Sequence, residues 1–161
     1  MKHSEFLEKY RNINCLLILL NNFDISLLEN IHYYLFNDCE DGEILRYKPD
    51  DLEYKEIEQV MQRYIRLLTS IKNSDEFILN ALRLIAIIFL YQPFYDGNSR
   101  VCLTLLKLLL ESIGLGLYLE DDEKNLNRHI LSTFYTPDDE VSLTNFKMAN
   151  SCVLKRLNEK N

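Results

Sequence analysis

Gln92-Pro93-Phe94-Tyr95-Asp96-Gly97-Asn98-Ser99-Arg100 is a short polar turn set between two strongly apolar runs. Upstream, Phe77 to Tyr91 reads FILNALRLIAIIFLY, with Arg83 as its sole charge. Such a run is apolar on nearly every side, which predicts a buried helix and not an amphipathic surface one. Val101 to Ile113 repeats the pattern downstream. Between them Pro93 ends the first helix, and Asp96-Gly97-Asn98 supplies residues that tolerate left-handed backbone angles. A helix starting at this turn presents unpaired N–H groups and the positive end of its dipole to whatever lies above it, and an anion, phosphate above all, suits that position.

The run resembles the motif of the Fic family (Fic/Doc fold), His-Pro-Phe-x-Asp/Glu-Gly-Asn-Gly-Arg-x-x-Arg. Pro93, Phe94, Asp96, Gly97, Asn98 and Arg100 match it, while Gln92 stands for the His, Ser99 for the second Gly and Leu103 for the second Arg. The resemblance implies an all-α fold: a helical bundle around two central buried helices, with residues 92–103 opening the second, and a short β-hairpin-like flap. It also implies a reaction class, transfer of a phosphate-containing group, most often AMP from ATP, onto a Ser, Thr or Tyr hydroxyl of a target protein.

Taken residue by residue, Asp96 is a single carboxylate beside a phosphate cradle. That suits Mg²⁺, which keeps several waters and takes other ligands from nucleotide phosphates. Gly97, Asn98, Ser99 and Arg100 are the candidate phosphate-binding residues, and Phe94 is a core anchor. Gln92 is the decisive departure. The family histidine acts as general base, and a primary amide has no usable basicity near neutral pH. Ser99 adds a β-carbon that is strained if its backbone takes a positive φ. Leu103 removes the guanidinium that in the family engages the distal phosphate and an inhibitory glutamate. No complete inhibitory motif is found; Ser4-Glu-Phe-Leu-Glu8-Lys9 comes nearest. The reading is a Fic-like protein with impaired adenylyltransferase chemistry. The alternatives are a working transferase with another donor or another base, such as His32 or His129, and a protein-interaction module that needs no nucleotide; His32 itself is read first as a structural histidine on a helix that packs against the core.

The remainder of the chain supplies scaffold. Its 161 residues, 47% hydrophobic with few Gly and Pro, predict a single helical domain over 1–161. A net charge of −7 argues against nucleic acid as a partner. No stretch is apolar for long enough to span a bilayer, and the first residues lack a signal-peptide core, so the expectation is a cytoplasmic protein without membrane contact. Cys15, Cys39, Cys102 and Cys152 lie far apart with no CxxC, which predicts reduced, mostly buried thiols.

In chain order, a first helix is expected from a Ser4 cap through Phe6, Leu7, Tyr10 and Ile13, breaking near residues 12–14 before Cys15 to Leu20. Ser26-Leu-Leu-Glu29 reads as a capping box that opens a helix ending near Asn37. Residues 39–51 lose the helical period. The family places a target-docking flap here, which holds a protein segment by strand-like pairing. Glu43, Ile44, Leu45 and Arg46 are its candidate docking residues, although Gly42 and Arg46 are one residue further apart than the family spacing. A regulator or target protein is the implied partner. Asp50 or Asp51 caps an amphipathic helix through Lys72, burying Ile57, Val60, Met61, Tyr64, Leu67 and Leu68. Asn73-Ser74-Asp75 breaks the chain before the central helix, and Gly114 and Gly116 stop the second one. Two further helices are expected over 123–135 and 138–157.

Overall fold

The computed structural model describes residues 2–13, 22–36 and 44–119, together with the backbone of 154–156. Five helices are present among them: α1 (His3–Arg11), α2 (Ile25–Leu35), α3 (Leu52–Ser70), α4 (Ser74–Tyr91) and α5 (Asn98–Glu111). Two short strands follow, β1 (Leu115–Leu117) and β2 (Leu154–Arg156). They pair antiparallel, with Leu115 opposite Arg156 and Leu117 opposite Leu154. The all-α reading holds, with this minor two-stranded element added.

The two apolar runs form the centre, as their composition predicts. α4 lies beside α5, α3 packs on α4, α2 on α5 and α1 on α2. Every residue of α5 from Val101 to Leu110 is buried, including Lys107. That lysine is neutralised by Glu111 one turn on, at 2.6 Å, and its ammonium lies 5.2 Å from the Tyr10 ring centroid. A buried cation needs such company. Tyr10 in turn donates its hydroxyl to the Leu117 carbonyl at 2.9 Å, which ties α1 to β1. Burial raises the Tyr10 phenol well above its ordinary value, with a further push from Glu111, so it stays a neutral donor.

Several boundaries differ from the sequence expectations. α1 begins at His3, with Lys2 at the cap position and no side-chain cap, so Ser4 lies inside the helix. Asp24, not Ser26, caps α2: its carboxylate accepts from the Ser26 N–H at 3.0 Å and from the Ser26 hydroxyl. Two residues separate the rival caps, and the carboxylate is the stronger acceptor for the helix's positive end. Asp51 precedes α3 but makes no cap bond; its side chain accepts from the Lys48 N–H at 2.7 Å and closes a turn instead. Ile57, Val60, Met61 and Leu68 are buried as expected, Tyr64 is half-buried, and Leu67 is exposed because it falls at the edge of the stripe. Asn73 caps α4 through the N–H groups of Asp75 and Glu76. Gly114, at φ 82, ends the turn after α5, whereas Gly116 is part of β1. The helix expected over 138–157 does not reach its predicted end, since 154–156 are extended. β1 offers that segment a backbone partner, which local propensity cannot reveal. Its remainder, the helix over 123–135 and the Cys15 to Leu20 run lie outside the described residues. Cys102 is fully buried, and burial pushes its thiol pKa far up, so it packs as a hydrophobe.

Candidate functional site

The site is built where α4 ends and α5 begins. Gln92 closes α4 in the left-handed conformation, at φ 49, the single non-glycine residue with positive φ among the described ones. Pro93 then bars any continuation. Phe94, 1% exposed, anchors the turn in the core. Its ring stacks on His32 of α2, with centroids 4.5 Å apart and planes at 27°. Gly97 takes φ 84 and precedes α5, which starts without a side-chain cap. A β-carbon at Gly97 would lie 2.6 Å from two ring carbons of Phe36, so both the backbone angle and the space demand glycine here.

Asn98 holds the turn from inside. Only 7% exposed, it accepts from the Phe94 N–H at 2.9 Å and donates to the Phe94 carbonyl at 2.8 Å. Its amide reproduces across the turn the pairing that a strand neighbour would give. Asp96 is exposed, and one carboxylate oxygen accepts from the Gly97 N–H at 2.9 Å. Above this floor opens a cavity of about 470 Å³ lined by Phe36, Gln92 and residues 95–100. The motif residues Gln92, Asp96, Gly97, Asn98, Ser99 and Arg100 are thereby brought to one place. The Arg100 guanidinium also lies 5.1 Å from the centroid of Phe6, so α1 supports the cation that lines the cavity.

Two departures from the motif are located here. Ser99 does not have a positive φ; it sits in the first turn of α5 and carries no backbone strain. Leu103 is 1% exposed and packs in the core, one turn below the cavity.

His32 was a candidate substitute base. Its Nε2–H donates to the Asp96 carbonyl at 3.1 Å, which leaves the lone pair on Nδ1, and that atom is buried without a partner. His32 is not among the cavity's lining residues. It is a structural histidine under the loop, clasped by Phe36 and Phe94. His129 lies outside the described residues. Burial lowers the His32 pKa, against the opposing pull of the Asp96 carbonyl and carboxylate. The folded protein therefore favours the neutral ring. The stability this contributes is complete above the ordinary imidazole value of about 6.5 and is lost as pH falls below it. A melting curve recorded from pH 7.5 down to 5 is expected to show this decline, and His32→Gln to flatten it; equal slopes would refute the assignment.

Of the expected flap, residues 44–51 are described and Glu43 is not. Leu45 forms an antiparallel bridge with Phe94, and the Arg46 N–H donates to the Pro93 carbonyl at 2.8 Å. Ile44, Leu45 and Arg46 thus lie beside the motif. Tyr47 donates to the Tyr91 carbonyl at 2.7 Å, and the Tyr91 hydroxyl donates to the Glu56 carboxylate on α3. That carboxylate pushes the Tyr91 pKa up to about 12. Sequence reasoning missed Phe36, Phe6, Tyr47 and Glu56, because nothing in their local pattern marks which distant turn they meet.

A sequence profile of the Fic/DOC family matches residues 22–110, more than half of the chain. The chain belongs to the Fic/DOC family. Among solved structures, this Fic chain is similar to the N-terminal Fic domain of a Bartonella quintana protein named as a cell filamentation protein and VirB-translocated Bep effector. The TM-score is 0.56 at 17% identity, over 83% of this chain and 72% of that one, a likeness of fold. No curated protein matches the sequence. The profile ends at Leu110, so it covers α4, the whole turn and all but the last residue of α5. No described helix is long and apolar enough to cross a membrane.

Proposed function

We propose that this Fic chain binds a magnesium-complexed nucleotide, ATP in the first instance, at the start of α5, and transfers AMP to protein hydroxyls poorly or not at all. One observation carries the reading. At the start of α5 Gly97 is left-handed, Asn98 is locked and Arg100 stands at the cavity wall, an arrangement that would suit phosphate, while the base position holds an amide already hydrogen-bonded to the protein.

Arg100 would pair phosphate oxygens, and the first-turn N–H groups of α5 would face them. The Ser99 hydroxyl adds a donor at the same wall. Asp96 would hold Mg²⁺: no group of three or more His, Cys, Asp or Glu is assembled among the described residues, so a single carboxylate needs the phosphates to complete the shell. That ion would neutralise phosphate charge. Gln92 can orient a hydroxyl but cannot take its proton, and a missing positioned base typically costs about 10²–10⁴ in rate. Ile44, Leu45 and Arg46 would then meet a protein partner at the flap. On this reading the protein works in the cytoplasm.

The test is a calorimetric titration of the full chain with ATP, with and without Mg²⁺. Saturable binding that requires Mg²⁺ and weakens at least about tenfold in Asp96→Ala is expected. No binding up to millimolar ATP would overturn the reading in favour of a nucleotide-independent interaction module.

A further inference from the structure

The side-chain amide of Gln92 is occupied at both ends. Its Nε2 donates to the Phe89 carbonyl at 2.7 Å, the same carbonyl that accepts the Gln92 backbone N–H at 3.1 Å. Its Oε1 accepts from Asn98 Nδ2 at 3.2 Å. The bridge therefore runs from the last turn of α4 to the residue that holds the turn together. From the other side, residues 46 and 47 take three consecutive carbonyls: Tyr47 that of Tyr91, the Arg46 guanidinium that of Gln92 at 3.1 Å, and the Arg46 N–H that of Pro93. A side-chain-bearing residue in the left-handed region persists only where its surroundings hold it there. Gln92 is held by its own side chain and by Arg46.

We propose that Gln92 is a positioning residue: its amide bridge from Phe89 to Asn98, braced by Arg46, sets the 93–97 turn in the shape that lets the first turn of α5 receive phosphate. This rests on the nucleotide reading above and gives position 92 a task other than proton transfer. A neutral imidazole there has one N–H and one lone pair. If it spans Phe89 and Asn98 as the amide does, its lone pair is used. To accept a proton from a hydroxyl it must release Asn98. The base and the bridge compete for one atom, and this chain has the bridge.

The test uses Gln92→Met, of similar length but unable to bridge, and Arg46→Met, which lies outside the cavity lining. In the full chain without ligand, the Gly97 and Asn98 backbone amides and the Asn98 side-chain NH₂ pair are followed by NMR. Both variants should shift the same resonances and raise the Kd for Mg–ATP, Gln92→Met by roughly tenfold, as expected when both bonds of the bridge are lost from a coupled network that touches phosphate only through the turn. The double variant should weaken binding by less than the product of the two, since both act through one turn. Unmoved resonances in Gln92→Met overturn the inference whether or not ATP binds. Shifted resonances with an unchanged Kd overturn the link to phosphate. If the wild-type protein binds no Mg–ATP while the resonances shift, the nucleotide reading falls and the link to phosphate with it, whereas the control of the turn by Gln92 stands.

Discussion

Leu103→Arg, the change that would restore the family's second arginine, is expected to destabilise the protein by about 3–5 kcal/mol, the cost of a charge buried without a partner. For a chain of this length that is a drop in melting temperature of roughly 6–20 °C. Leu103 is 1% exposed, in a helix whose residues from Val101 to Leu110 are all buried. The single buried cation of α5, Lys107, already has its partner in Glu111. A guanidinium at 103 would have to reach the cavity one turn up, past Ser99 and Arg100, or stay in the core. Thermal melts of Leu103→Arg against Leu103→Met separate the charge from the volume, since methionine is nearly isosteric and should cost under about 1.5 kcal/mol. Equal melting of all three proteins would mean that the side chain escapes to the cavity and that α5 can still accept the family residue.

This has a bearing on what the departures from the motif mean together. Gln92, Ser99 and Leu103 are not three independent losses on an otherwise unchanged template. Leu103 has become core, Ser99 sits unstrained in a helical turn, and Gln92 carries two hydrogen bonds inside the loop. Restoring histidine at 92 would thus exchange a bridge for a base, and restoring arginine at 103 would exchange packing for a charge. Reversion to the family motif is predicted to trade stability for chemistry.

The centre of the fold was legible because hydrophobic content largely fixes burial without reference to partners: the runs 77–91 and 101–113 form the interior, although Leu90 emerges 58% exposed near the end of the first. The turn was legible because Pro93 and Gly97 constrain the backbone locally. Three things were not. Asp24 and Ser26 are both good caps, and the choice between them turns on which one the chain entering α2 presents. Residues 154–156 became a strand because β1 lies beside them, a contact with no local trace. Above all, the state of Gln92 depends on atoms from Phe89 and Asn98, so no local reading could tell a vacated base from a bridge, whereas His32 is the structural histidine that its place on a core-facing helix suggests, and only its partners Asp96, Phe36 and Phe94 were hidden.

Gly97→Ala is expected to cost about 2–5 kcal/mol, from two separable sources. The left-handed backbone costs a residue with a β-carbon roughly 1–2 kcal/mol, and forcing that carbon against the Phe36 ring, 2.6 Å from two of its atoms, adds about 1–3 kcal/mol of overpacking. Urea unfolding of Gly97→Ala, Phe36→Ala and the double variant resolves the two. Phe36→Ala destabilises on its own, by about 3–5 kcal/mol for a buried aromatic, and releases the ring from His32. In its background, however, the new methyl meets no ring, so Gly97→Ala should then cost only the backbone part. A coupling of about 1–3 kcal/mol between the two sites is the expected result; strict additivity would mean that Phe36 does not press on the turn. The ring is also part of the cavity wall, so the same contact that makes glycine obligatory shapes the space above α5. On the nucleotide reading proposed above, Mg–ATP binding should accordingly be weakened in Gly97→Ala and not regained in the double variant, because removing Phe36 relieves the clash but also takes away part of the cavity wall.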